Sequence, residues 1–156
     1  RLIQRTNALN LRIRMPITGC ASPRNFITKI TTYERICSVE NSMSVLPDLL
    51  PLVYQMMRSG KTGSINLTNP GVISHNEILG LYRDIVDPAF TWQNFSLEEQ
   101  ARILASERSN NRLDTSKLSE WYPHVKGIRE AVIDCLERMR ADASGQRGGK
   151  GIINNV

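Results

Sequence analysis

The chain is 156 residues long, 40% hydrophobic and 22% charged, with a formal net charge of +5. That size and apolar content can bury the core of one ordinary domain and exclude compositional disorder, and no apolar run approaches the ~18 residues of a bilayer span. The charge would suit nucleic acid, a membrane surface or an anionic metabolite, but Lys and Arg are spread along the chain with no recognition motif beside them, so neither nucleic acid nor membrane is expected as a partner.

The first residue is Arg1, not Met, and residues 1–6 read like the end of a helix that starts upstream, so a fragment of a longer protein is expected. No basic-then-apolar leader is visible, and Cys20, Cys37 and Cys135 are odd in number and far apart, which reads as reduced thiols in a cytoplasmic protein. With only His75 and His124 beside them, no metal-ligand cluster is expected.

Residues 9–15 alternate, with Leu9, Leu11, Ile13 and Met15 on one face and Asn10, Arg12 and Arg14 on the other, the period of a half-covered strand. Central parallel strands are apolar on both faces, so the arginines point to an edge, a cleft or salt-bridged partners. Pro16 ends that strand and 17–23 reads as a loop. Phe26, Ile27, Ile30 and Tyr33 then recur at helical spacing over 24–33. Residues 35–39 can form a short strand, and Glu40, Asn41 and Ser42 are polar punctuation. The next helix carries Leu46, Leu49, Leu50, Val53, Met56 and Met57 on one stripe and stops at Gly60. Pro47 suits its first turn, whereas Pro51 removes one ladder bond and bends it.

Residues 63–82 read as strand, loop and helix. The strand is 64–68, Asn69-Pro70-Gly71 is turn chemistry, and Ser74 with Glu77 makes a capping box. Ile78, Leu81, Tyr82 and Ile85 form the buried face of that helix, which ends before Asp87-Pro88, and His75 reads as a surface residue of its first turn. The aromatic segment 90–95 can be a strand, and Ser96 with Glu99 is a second capping box for a helix to about residue 106. Polar loop 107–114 gathers Arg108, Asn110, Asn111 and Arg112, a group that could grip an anion or simply turn the chain at the surface. Asp114 or Thr115 caps a short helix through Leu118 and Trp121, ended by Pro123. The last helix, 125–139, is amphipathic, with Ile128, Ala131, Val132, Cys135, Leu136 and Met139 on one face. The expected organisation is one structured portion, 1–140, and a disordered glycine-rich tail, 141–156.

Two motifs fail on physical grounds. Residues 145–151, G-Q-R-G-G-K-G, have the wrong spacing for a phosphate loop, and no Ser or Thr follows Lys150. Tyr122 and Lys126 match Y-x-x-x-K, but Pro123 disfavours helix at Tyr122 and so breaks the one-turn alignment such a pair needs; Tyr122 reads as a packing residue. No G-x-G-x-x-G occurs, and the residues by themselves hold no complete catalytic constellation.

Five stretches in order carry a resemblance: L-N-L-R-I-R-M-P (9–16), P-R-N-F-I-T-K-I (23–30), N-S-M-S-V-L (41–46), N-L-T-N-P-G-V-I-S-H-N-E-I-L (66–79) and A-S-E-R-S-N-N-R-L-D-T-S-K-L (105–118). The chain resembles the carboxyl-terminal half of the nucleotide-sugar 4-keto-6-deoxyhexose 3,5-epimerase/4-reductases of rhamnose synthesis. These are similar to dTDP-4-dehydrorhamnose reductase, in the extended short-chain dehydrogenase/reductase superfamily. The resemblance implies an α/β fold: the last Rossmann strands plus a mostly helical substrate-binding lobe. It implies an NAD(P)H-dependent enzyme acting on a UDP- or dTDP-sugar, with the Gly-rich loop and the catalytic Tyr and Lys in an amino-terminal half outside this chain, so that the fragment alone is inactive. A non-catalytic nucleotide-sugar or protein-binding module is the alternative.

The resemblance also implies site residues. Asn25, Thr28 and Lys29 would face the diphosphate, Asn41, Ser42 and Met43 would line the nucleotide or sugar, and Arg108 and Asn110 would contact phosphate and hydroxyl from the late loop. Met15, Pro16 and Ile17 would pass the nicotinamide. Arg14 departs from the bacterial pattern, where a small residue is usual, which leaves the sugar-nucleotide preference open. Missing strands would leave apolar surface exposed and the fragment poorly soluble.

Overall fold

A computed structural model describes the protein over residues 7–105 and 111–148. Among these, strands β1 (Leu9–Arg12), β2 (Pro16–Ile17), β3 (Arg35–Ile36), β4 (Ser44–Val45), β5 (Gly63–Asn66) and β6 (Gln93–Asn94) are interspersed with helices α1 (Phe26–Ile30), α2 (Leu46–Arg58), α3 (His75–Ile85), α4 (Leu97–Ala105), α5 (Ser116–Trp121) and α6 (Ile128–Gly148). The strands pair as β1·β5, β2·β4 and β3·β6, every pair parallel. Parallel pairs cannot be closed by a tight hairpin and need a crossover, which the intervening helices supply, so the architecture is α/β. None of the described helices is long and apolar enough to cross a membrane.

The first strand is shorter than its alternation suggests. Leu9 pairs with Gly63 and Leu11 with Ile65, but the strand stops at Arg12, and Ile13, expected inward, is 50% exposed. The alternation lapses after Arg12, and Met15, just before the next strand, takes a left-handed φ of 42°, a conformation strained for a side chain with a Cβ. Pro16 therefore does not end a strand; it begins β2, registered as Pro16 with Ser44 and Ile17 with Val45, at the first position of a strand where proline is tolerated.

Local signals elsewhere give the expected elements. Ser74 Oγ accepts from the Glu77 N–H at 3.2 Å while the Ser74 N–H donates to Glu77 Oε2 at 2.9 Å, and Ser96 with Glu99 repeats the arrangement ahead of α4. Gly71 takes a φ of 95° in the turn after Asn69, which only glycine adopts cheaply. Asp114, not Thr115, supplies the side chain at the start of α5, its Oδ1 accepting from the Ser116 N–H. His75 is not merely a surface residue: it is half-buried, edge-on to Phe26, with Nδ1 3.3 Å from the Val39 carbonyl. Helix α6 runs on to Gly148, through the first part of the stretch expected as tail, and 149–156 lie outside the described residues.

Two hydrophobic cores result. The larger joins Ile17, Ile27, Ile30, Met43, Val45, Ile73, Ile78, Leu79, Val132 and Leu136, with α6 packed on β4 and α3 on α6. The smaller gathers Leu49, Met56, Ile65, Leu67 and Leu118, with Tyr122 packed at its margin as a structural residue. Each fully buried aliphatic side chain contributes about 1.5–3 kcal/mol. Helix α2 commits Leu49 and Met56 to the small core, but Leu50, Tyr54 and Met57, one helical stripe, are 55%, 62% and 69% exposed.

Candidate functional site

The two main sheets meet end to end. Beyond the carboxyl end of β1 the chain passes through Ile13, Arg14 and Met15 into the amino end of β2; beyond β5 it passes through Leu67 and Thr68 to Asn69. Ser44, opening β4, ties the junction: its Oγ accepts from the Arg14 N–H at 3.0 Å and donates to the Leu67 carbonyl at 2.7 Å, and its own N–H donates to the Arg14 carbonyl. Ligands of open α/β sheets bind outside the carboxyl ends of parallel strands, and this junction is such an end.

Asn41, Ser42 and Met43, expected to line a nucleotide or sugar, are all buried here. Met43 is packed in the larger core. Asn41 Oδ1 accepts from Arg14 Nη2 at 2.8 Å and from the Asn111 N–H at 3.1 Å. Ser42 completes the hold on that segment, donating its N–H to the Asn111 carbonyl at 3.0 Å and accepting from the Leu113 N–H on Oγ at 2.9 Å. These side chains therefore pin residues 111–113 against the junction. Thr68 is wholly buried, and its hydroxyl has no hydrogen-bond partner among the described residues.

Asn25, Thr28 and Lys29 stand elsewhere. They follow the carboxyl end of β2, whereas Asn41 to Met43 precede the amino end of its parallel partner β4, so the two groups lie at opposite ends of that sheet. Asn25 is buried, donating Nδ2 to the Thr18 and Cys20 carbonyls and accepting on Oδ1 from the Ile27 and Thr18 N–H groups. An amide offers two donors and two lone pairs, so Asn25 is fully engaged in capping α1 and in holding the loop at Thr18 and Cys20. Thr28 Oγ1 accepts from the Ser22 N–H, and Lys29 is exposed in the last turn of α1. Of the three residues expected beside a nicotinamide, Ile17 is completely buried, while Met15 and Pro16 are half-buried at the junction. Arg108 and Asn110 lie outside the described residues.

The sequence signals missed Arg14 and Asn69. Strict alternation put Arg14 outside, and Asn69 read only as a turn residue. Asn69 is buried and joins three segments: Oδ1 accepts from the Val45 N–H, and Nδ2 donates to Asp48 Oδ2 at 2.6 Å and to the Lys126 carbonyl. It thereby caps α2, whose own N-cap, Val45, has no side chain to do so. Burial raises the pKa of Asp48 despite the hydrogen bond from Asn69. Close by, Lys126 is held protonated by its hydrogen bond to Asp134, and burial pushes the Cys135 thiol up to about 11, an unreactive state. Lys126 thus serves α6 and not Tyr122.

No family model matches the chain. It is 52% identical over 128 residues to a bifunctional dTDP-4-dehydrorhamnose 3,5-epimerase/dTDP-4-dehydrorhamnose reductase of Arabidopsis thaliana, a match covering 81% of this chain and 42% of that protein. It is 49% identical over 128 residues to a trifunctional UDP-glucose 4,6-dehydratase/UDP-4-keto-6-deoxy-D-glucose 3,5-epimerase/UDP-4-keto-L-rhamnose-reductase of the same plant, covering 81% of this chain and 19% of that one. The crystal structure of a UDP-rhamnose synthase from Acanthamoeba polyphaga mimivirus superposes with a TM-score of 0.77 at 52% identity, over 84% of this chain and 46% of the other. The chain thus spans less than half the length of each of these relatives. By sequence and by fold, it is a homologue of part of the dTDP-4-dehydrorhamnose epimerase/reductases and UDP-rhamnose synthases.

Proposed function

We propose that this chain is the sugar-nucleotide-binding part of an NAD(P)H-dependent epimerase/reductase that converts a UDP- or dTDP-4-keto-6-deoxyhexose to the rhamnose nucleotide. The observation that carries this reading is the 52% identity to the bifunctional plant enzyme, matched by a UDP-rhamnose synthase fold at a TM-score of 0.77. Within this chain the junction at Arg14, Asn41, Ser42 and 111–113 is the part suited to hold a polar, anionic ligand. It sits at strand carboxyl ends, where the buried Asn41 and Ser42 fix a backbone that carries the exposed Arg112. NAD(P)H supplies hydride chemistry when bound, and the residues described here fit it only at a margin, since Ile17 is buried and Met15 and Pro16 alone offer surface. The proton donor and most cofactor contacts belong, on this reading, to the further length that the relatives possess, and the protein works in the cytoplasm.

The exposed stripe of Leu50, Tyr54 and Met57 supports the same division, because a helix covering a parallel sheet is itself normally covered where it is apolar. It also supports the second reading, a nucleotide-sugar or protein-binding module without chemistry. One experiment separates them. The chain is joined to the complementary half of the mimivirus synthase and supplied with UDP-4-keto-6-deoxyglucose and NADPH. Substrate-dependent NADPH oxidation is expected; its absence in a folded fusion that still binds UDP selects the binding module.

A further inference from the structure

Arg14 is the side chain at the junction that neither the alternation of β1 nor the packing of either core calls for. An extended backbone through residue 15 would place it on the outer face with Asn10 and Arg12, which pair across the sheet with Ser64 and Asn66. Instead β1 stops at Arg12, Arg14 is half-buried with Ile13 left in solvent, and Met15 directly after it is held at a left-handed φ of 42°. Strain of this kind persists only where the surroundings impose it, and it concentrates at functional sites. Drawing a guanidinium half out of water also opposes folding unless its hydrogen bonds compensate.

What Arg14 reaches is the carbonyl of Asn41, and that oxygen divides its two lone pairs between Arg14 Nη2 at 2.8 Å and the Asn111 N–H at 3.1 Å. A cation on one lone pair orients the amide and fixes which of its ends faces Asn111, so the charge is felt one residue further on. Ser42 holds Asn111 and Leu113 from the other side. Between those two anchored residues stands Arg112, exposed, bordering an open concavity with Gly71, Thr115 and Ser116. Fixing the backbone on both sides of Arg112 fixes where its planar fork leaves the chain, and such a fork matches a diphosphate.

We infer that Arg14 is a positioning residue: acting through Asn41, it sets segment 111–113 so that Arg112 is aimed at the diphosphate of the sugar nucleotide. The inference rests on the nucleotide-sugar reading above. It is tested on the 156-residue chain by hydrogen exchange and by calorimetric titration with UDP, for the unaltered protein, Arg14→Met and Arg14→Lys. Arg14→Met is expected to speed exchange at the Asn111 and Leu113 amides about tenfold and to weaken UDP about tenfold, the loss of one charge-assisted hydrogen bond, with α6 amides unchanged. Arg14→Lys, which keeps the charge, is expected to recover most of both. Unchanged exchange at 111 and 113 overturns the relay. Faster exchange with undiminished UDP affinity makes Arg14 structural only and overturns its positioning role. If α6 exchange also rises in Arg14→Met, the lysine variant decides: a lysine chain that folds but binds UDP no better than Met overturns the inference. Failure of the unaltered chain to bind UDP sinks the nucleotide-sugar reading itself and, with it, the site that Arg14 would serve.

Discussion

The larger core and the smaller core are built from the same residue types but are finished to different degrees. Around β2·β4, helices α1, α3 and α6 bury a continuous set of aliphatic side chains, and even the thiol of Cys135 is sealed in. Around β1·β5, α2 covers the inner face of the strands yet carries Leu50, Tyr54 and Met57 on its own outer stripe, with Ile13 exposed at the strand's end. The difference teaches that one region is complete in itself and the other has a face built for covering.

The contrast can be broken or sharpened by substitution. Leu136→Ala in the larger core should lower the free energy of unfolding by about 2–5 kcal/mol in urea titrations, because the cavity cannot collapse between α3 and α6. Leu50→Ala should move it by less than about 0.5 kcal/mol. Equal losses would mean that the stripe is covered after all. Asn69→Ala comes next, at about 1–3 kcal/mol, since it strips the cap from α2 and leaves the buried Val45 N–H without an acceptor; amide exchange confined to the first turn of α2 would check the cause. The pair Leu50→Lys and Met57→Lys should raise the solubility limit of the chain while shifting the urea midpoint by no more than about 0.5 kcal/mol equivalent. A loss of stability there would show that the stripe packs within this chain.

The smallest effect concerns pH. Burial raises the pKa of Asp48 above its ordinary 3.8, so the charged form is the costlier one in the folded state. The stability it contributes is present in full below 3.8 and is lost as pH rises through the raised folded value. Asp48→Asn should therefore flatten the stability profile just above 3.8, read as urea midpoints across a pH series. An identical slope in both proteins would remove Asp48 as its source.

The parts of the fold legible in the sequence were those whose cause is local. Both capping boxes, the turn at Asn69-Pro70-Gly71 and the helical spacing of α3 and α6 depend on residues within a few positions of each other, and the structure reproduces them. What escaped depends on distant partners. The half-buried Arg14 meets Asn41, 27 residues on, which alternation cannot signal, and the capping of α2 by Asn69 joins residues 24 apart. Periodicity marked Leu50 and Met57 as apolar but could not say whether anything covers them. At the candidate site, Asn41 and Ser42 grip 111–113 from some 70 positions away, a relation no spacing reveals.

The parallel pairing of every strand also bears on how the chain comes to be made. Leu9 must wait for Gly63 before its first inter-strand bond can form, a gap of 54 residues. At ribosomal rates of roughly 5–20 residues per second that is about 3–11 seconds in which β1 has left the peptidyl-transferase centre without its partner. Strands that close only through distant contacts are also the slow ones to assemble. During that interval the edge of Leu9 and Leu11 that later meets β5 is unpaired, and an open strand edge is prone to pair with another chain. Arg12, the last residue of β1, and Arg14, two residues beyond it, give the newborn segment charge against self-association.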